Sequence, residues 1–106
     1  MKLVTEEIRE NLLNADKGAD DPEIVVKFFN PVGAQTWLIT SMEEDGDTLW
    51  GVADLGLQCV EYGTISLSEL ESIKLMGGLL GIERDLYFEP KGLTISDFIG
   101  KERIDV

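Results

Sequence analysis

The chain has 106 residues, 43% of them hydrophobic, with 21 acidic residues against 9 basic ones, one cysteine and no histidine. The length and the hydrophobic fraction predict a single globular domain, residues 1–106. The net charge of −12 argues against direct binding to nucleic acid or to anionic membranes, because both need clustered lysine and arginine.

The first predicted element is a short amphipathic helix over residues 6–14. Thr5 is a favourable N-cap, and Ile8, Leu12 and Leu13 form its apolar stripe. A polar loop then runs to Pro22.

Four strands follow, separated by short turns. They are predicted at residues 24–29, 36–42, 48–55 and 59–65. Because short connections join antiparallel neighbours, we expect a meander. The second turn contains Asp45-Gly46, which is typical of the tip of a hairpin.

The last part of the chain alternates between helix and strand. Ser66 and Glu69 form a capping box for a helix over residues 67–75. The glycine-rich loop 76–81 is also apolar; we expect its leucines to pack on the core, with an exposed partner surface as the alternative. A fifth strand is predicted at 82–88, and a short helix ends at Ile99.

These elements predict an α+β fold: an antiparallel sheet of about five strands with two or three short helices, mainly on one face. Cys59 is alone, no signal peptide is evident and no apolar run is long enough to span a bilayer, so we expect a cytoplasmic protein. The missing histidines and phosphate-binding loops argue against a metal site, a cofactor and the common nucleophilic pairs, and favour a protein without enzymatic activity.

Residues 82–88 are the stretch of the sequence that most suggests a functional site. As a strand, they place Ile82, Arg84, Leu86 and Phe88 on one face, so that a guanidinium stands in an apolar row. A buried Arg84 needs a carboxylate partner, and Asp54 and Glu61 are the candidates. The alternative is that Arg84, Asp85 and Tyr87 form a site for a small anionic ligand, with binding or weak enzymatic activity.

The acidic residues predict a second kind of site. No basic residue lies between Lys27 and Lys74. The acids in that interval are Glu43, Glu44, Asp45 and Asp47 of the turn, together with Asp54, Glu61, Glu69 and Glu71. If these acids converge, they form a surface for a basic protein partner, encoded by the host or by a mobile element. The alternative is that they scatter over solvated positions.

Several ordered blocks of the sequence resemble a known family. The blocks are residues 26–31, 36–40, 63–71 and 82–88, in which the last reads Ile-Glu-Arg-Asp-Leu-Tyr-Phe. They are similar to DUF2958, a family of small uncharacterised bacterial proteins that plasmids, phages or integrative elements often carry. The resemblance implies an accessory protein of a mobile element and supplies no catalytic residues.

Overall fold

The computed structural model of the protein describes residues 2–54, 60–89 and 91–99, except for the side chain of Ile99. Leu55 and Cys59, at the predicted ends of two strands, lie outside these residues. The elements are α1 (Glu6–Leu13), β1 (Val26–Phe29), β2 (Thr36–Met42), β3 (Thr48–Asp54), β4 (Val60–Ser66), α2 (Leu67–Ser72), β5 (Glu83–Arg84) and α3 (Ile95–Ile99).

The five strands form one antiparallel sheet in the order β4-β3-β2-β1-β5. The first four strands are the predicted meander, and β5 adds to the outer edge of β1. A bulge in β2, between Ile39 and Ser41, shifts its pairing with β3. The expectation of an α+β fold with five antiparallel strands is therefore confirmed.

One face of the sheet carries the larger core. Val26, Phe28 and Ile39 project from this face and pack against Leu12 of α1 and against α2. Thr5 caps α1 by accepting a hydrogen bond from the Ile8 N–H, and Ser66 caps α2 in the same way for Glu69. Two of the three helices thus cover the same face.

The opposite face holds a smaller core. Leu38 and Val52 pack there with Ile24, Val60 and Ile95 of α3. Trp50 is half-buried and stacks on Tyr62, with ring centroids 6.1 Å apart. Trp37 is buried in the larger core, so both tryptophans pack in the fold as aromatic residues in strands usually do.

Two elements end earlier than the sequence predicts. The helix α2 stops at Ser72, because Ile73 adopts an extended conformation and Leu75 then bridges to Leu80. In the loop that follows, Met76 and Leu79 are 63% and 84% exposed. Leu80 is 38% exposed, so the expectation that the leucines of this loop pack on the core is wrong for both Leu79 and Leu80.

The predicted strand 82–88 is also shortened, to Glu83–Arg84. The Asp85 carboxylate accepts a hydrogen bond from the Tyr87 N–H (2.9 Å), and the Phe88 N–H donates to the Asp85 carbonyl. This turn replaces the strand, since aspartate readily bonds the backbone two residues ahead. Ile82 is buried as expected, whereas Leu86 is exposed and Phe88 packs on the opposite face of the sheet.

Candidate functional site

Arg84 holds the N-terminal segment against the edge of the sheet. Its Nη1 donates hydrogen bonds to the carbonyls of Lys2 (2.8 Å) and Leu3 (3.0 Å). Leu3 and Val4 are buried in the larger core, and the Leu3 N–H donates to the Glu71 carboxylate. The guanidinium therefore fixes the backbone of a segment whose side chains belong to the core.

The sheet separates Arg84 from both acids that the sequence suggested as its partners. Asp54 lies in β3 and Glu61 in β4, three and four strand positions from β5. At a strand spacing of ~4.8 Å, these positions are about 14 and 19 Å away, against the 4 Å of an ion pair. The side chains of Phe28 and Trp37 occupy the row between Arg84 and Glu61. This geometry argues against a direct ion pair with either acid.

Asp85 and Tyr87 take different roles from Arg84. Asp85 forms an ion pair with Lys27 (3.4 Å) on the opposite face of β1 and also holds the turn that presents Tyr87. Tyr87 is 95% exposed. The three residues proposed from the sequence as a ligand site are neighbours in the chain, but their side chains point in different directions.

A cavity of about 290 Å³ does lie beside β5. Arg84 and Asp85 line it together with Leu86, Phe88 and residues of α1, including Glu7 and Ile8. Tyr87 does not line it. An anion in this cavity would meet two carboxylates as well as the guanidinium, which makes it a poor anion site.

The predicted acidic turn is an ordered hairpin tip between β2 and β3. The Asp45 carboxylate accepts hydrogen bonds from the N–H groups of Asp47 and Thr48 and from the Thr48 hydroxyl, at 2.7–2.8 Å. Gly46 has a φ of +73°, a left-handed conformation that glycine adopts without strain. The Thr48 hydroxyl, followed by the two backbone bonds, lowers the pKa of Asp45 below its ordinary value of 3.8.

Asp47 joins this hairpin to α2. Its Oδ1 accepts a hydrogen bond from the Ser68 N–H (2.7 Å), and its Oδ2 accepts one from the Ser66 hydroxyl (2.9 Å). These bonds, with that of the Ser68 N–H the most important, lower the pKa of Asp47 below 3.8. The carboxylate is thus both fully ionised at neutral pH and fixed at the start of a helix.

The other two acids of the turn differ in exposure. Glu43 is half-buried and accepts a hydrogen bond from the Trp50 indole N–H (3.0 Å), while Glu44 is exposed. Arg9 approaches the tip from α1, since a methyl group at Gly46 would lie 3.0 Å from its Nη1. The four acids share the hairpin because they are close in the sequence, and the guanidinium of Arg9 lies near its tip.

A second acidic surface was not singled out from the sequence. A cavity of about 590 Å³ lies between the end of α1 and the segment that leads into β1. Asp16, Asp21 and Glu23 line it, and it shares Asn11 and Val25 with the cavity beside β5. In the sequence, these acids belong to the polar loop around Pro22, whose composition predicts a turn. That composition does not show that the loop lies beside a cavity.

The structure gives two negative findings for the described part of the chain. No group of three or more acidic or cysteine side chains is placed to hold a metal ion. No helix there has the length and apolar composition to cross a membrane.

Comparison with known proteins settles the family. The model of DUF2958, a family described as proteins of unknown function, matches residues 3–104. The chain belongs to the DUF2958 family. No curated protein and no solved structure matched it. Family membership thus confirms the resemblance noted in the sequence, and the functional argument rests on the residues of this chain.

Proposed function

We propose that this DUF2958 protein is a non-enzymatic interaction module that docks a basic protein partner through a preorganised acidic surface. The observation that carries the proposal is the hairpin tip Glu43–Asp47. Hydrogen bonds hold the carboxylates of Asp45 and Asp47 in place, and aspartates are ionised at neutral pH, so the anionic surface exists before a partner arrives. Preorganisation reduces the entropy lost on binding.

The net charge supports the same function. A total of −12 attracts a basic protein over a distance of about one Debye length, ~8 Å at physiological salt, and speeds its encounter. The hairpin supplies a local concentration of this charge, with Glu44 exposed at its tip. A partner with clustered lysine and arginine therefore fits this surface.

A small anionic ligand at Arg84 is the second candidate. The cavity beside Arg84 and Asp85 favours it. Glu7 and Asp85 in the same lining oppose it, and Nη1 of Arg84 already donates to two backbone carbonyls. Calorimetric titration with phosphate and with acetate tests this candidate, and a dissociation constant below about 1 mM that is lost in Arg84→Lys would favour it over the acidic-docking function.

Affinity capture tests the docking function. Immobilised protein is incubated with a bacterial lysate at low and at high salt, beside a variant with Glu44→Lys, which reverses one exposed charge without touching the hydrogen bonds of Asp45 or Asp47. We expect a basic protein that is retained at low salt, released at high salt and retained less by the variant. Failure to retain any basic protein at low salt contradicts the proposal.

The proposal also includes the genetic setting. We propose that a plasmid, phage or integrative element encodes the protein as an accessory function, on the support of the family resemblance alone. The genes that flank it are the test, since a setting among housekeeping genes in most genomes would contradict this part.

A further inference from the structure

The exposed apolar residues beside the two cavities are the feature that the acidic hairpin does not explain. Leu86 is 66% exposed and Tyr87 95% exposed, at the tip of the turn that Asp85 holds. Large apolar side chains held out into solvent next to a cavity are typical of surfaces that bind another molecule. Leu86 itself lines the smaller cavity.

The two cavities share Asn11 and Val25 in their linings, and we call the surface that they form together the α1 groove. Half of the residues that line its first end are apolar, among them Ile8, Val26, Leu86 and Phe88. Its other end carries Asp16, Asp21 and Glu23, and the two ends meet at Asn11 and Val25. The volumes, about 290 and 590 Å³, are in the range of sites that bind ligands.

The charge of the groove selects the kind of occupant. Its lining includes five carboxylates and one basic residue, Arg84, whose Nη1 is bonded to the carbonyls of Lys2 and Leu3. The carboxylates are those of Glu7, Asp16, Asp21, Glu23 and Asp85. A second copy of the chain, with its own net charge of −12, would be repelled, whereas a basic segment would be attracted.

We propose that the α1 groove binds a short segment of a basic protein, with an apolar residue at the Leu86 end and lysine or arginine at the Asp16–Glu23 end. The proposal rests on the proposed docking function and adds the surface and the chemistry of the segment. An extended segment of five or six residues is ~17–20 Å long. From Thr5 to Asn11 alone, α1 rises ~9 Å along this groove, and the loop to Glu23 extends the groove further.

A defined peptide tests the groove. The probe is a fluorescein-labelled hexapeptide, Phe-Leu-Gly-Lys-Lys-Lys, and its binding is followed by fluorescence polarisation at low salt. Two further peptides separate the contributions: Ser-Ser-Gly-Lys-Lys-Lys lacks the apolar residues, and Phe-Leu-Gly-Glu-Glu-Glu reverses the charge. We expect only the first to bind with a dissociation constant below about 1 mM, since it alone satisfies both ends of the groove.

Matched variants locate the site. Leu86→Ser should weaken the peptide about tenfold, because an apolar contact is lost, while Leu79→Ser, at another exposed leucine outside the groove, should leave binding unchanged. The double variant Glu7→Gln/Glu23→Gln should weaken it about fivefold. Glu61→Gln/Glu69→Gln, at two exposed acids outside both the groove and the hairpin, makes the same change in net charge and should not. Asp16 and Asp21 are left intact, because Asp16 holds a turn through the Gly18 N–H and Asp21 accepts a hydrogen bond from the Ser96 N–H of α3.

The remaining outcomes each decide against the groove. Weaker binding only in Glu44→Gln, measured beside these variants, places the peptide at the hairpin, which overturns the groove and leaves the docking function standing. If Ser-Ser-Gly-Lys-Lys-Lys binds as tightly as Phe-Leu-Gly-Lys-Lys-Lys, charge alone accounts for the binding and the apolar end of the groove does not contribute. If no peptide binds, the proposal that the groove binds a basic segment is wrong. The docking function is then tested by affinity capture alone. Self-association in sedimentation experiments that Leu86→Ser abolishes would assign the groove to a second copy.

Discussion

Replacing Arg84 with alanine should destabilise the fold through the loss of its contacts with the N-terminal segment. The hydrogen bond to the Leu3 carbonyl is partly buried and that to the Lys2 carbonyl is exposed. A hydrogen bond from a charged donor is worth about 1.5–3 kcal/mol when buried, and less in water. Together they predict a loss of about 2–3 kcal/mol, because Leu3 and Val4 remain in the core but lose the anchor of their backbone.

Urea denaturation followed by circular dichroism measures this loss. With a slope of about 1–1.5 kcal/mol per molar urea, the midpoint of Arg84→Ala should fall by about 2 M. Arg84→Lys keeps the charge but not the planar donor group, so its urea midpoint should lie between those of the alanine variant and the native chain. Lys91→Ala is the surface control: it removes an exposed ion pair with Glu89 and should cost less than ~0.5 kcal/mol.

A loss below ~0.5 kcal/mol in Arg84→Ala would refute the reasoning, since that value is typical of surface substitutions that leave the core and its anchors intact. It would mean that the hydrogen bonds to Lys2 and Leu3 do not hold the segment. A loss larger than ~5 kcal/mol would also contradict it, because that magnitude requires a buried charge left without its partner.

Two further predictions concern the sheet and the hairpin. Gly51→Ala should cost at least ~3 kcal/mol in urea denaturation, because its Cβ would lie 2.2 Å from the Leu38 carbonyl oxygen at the bulge of β2. Gly63 is the cross-strand partner of Gly51, and no atom lies within 4 Å of a Cβ built there, so Gly63→Ala should change stability by less than ~0.5 kcal/mol. Equal losses at both sites would contradict the close approach of Gly51 to the Leu38 carbonyl. Because Asp45 and Asp47 have pKa values below 3.8 in the folded protein, the stability they contribute is present above that pH and is lost as the pH falls through the folded values. Asp45→Asn/Asp47→Asn should therefore flatten the fall in stability as the pH drops below 3.8, relative to the charge-matched Glu44→Gln/Glu69→Gln. Parallel profiles would contradict the assigned hydrogen bonds.

The sequence predicted those parts of the fold that depend on local patterns. Thr36–Met42 was predicted with the bounds of β2, because a run of β-branched and apolar residues between two turns is a local signal. Strand 82–88 was predicted too long for the same reason: its alternation continues to Phe88, and the hydrogen bond of Asp85 to the backbone, which ends the strand, leaves no trace in the hydrophobic pattern.

The candidate sites were predicted less well, because they depend on contacts between distant parts of the chain. Arg84 was expected to be buried beside a carboxylate; it is half-buried, and its bonds to Lys2 and Leu3 join residues more than 80 positions apart. Asp47 was expected at a solvated tip, and its bond to Ser68 exists only because β4 returns the chain to the hairpin. The α1 groove needs the loop before β1 to lie against α1, which sequence periodicity does not encode.

The most direct test of the α1 groove as the surface that docks a basic segment is an NMR titration of ¹⁵N-labelled protein with the peptide Phe-Leu-Gly-Lys-Lys-Lys at low and at high salt. We predict saturable shifts of backbone amides along the α1 groove, at Ile8, Val25 and Leu86 among others, that shrink at high salt as the attraction is screened. Small, unsaturable shifts spread over the whole surface, or no shifts at all, would contradict it.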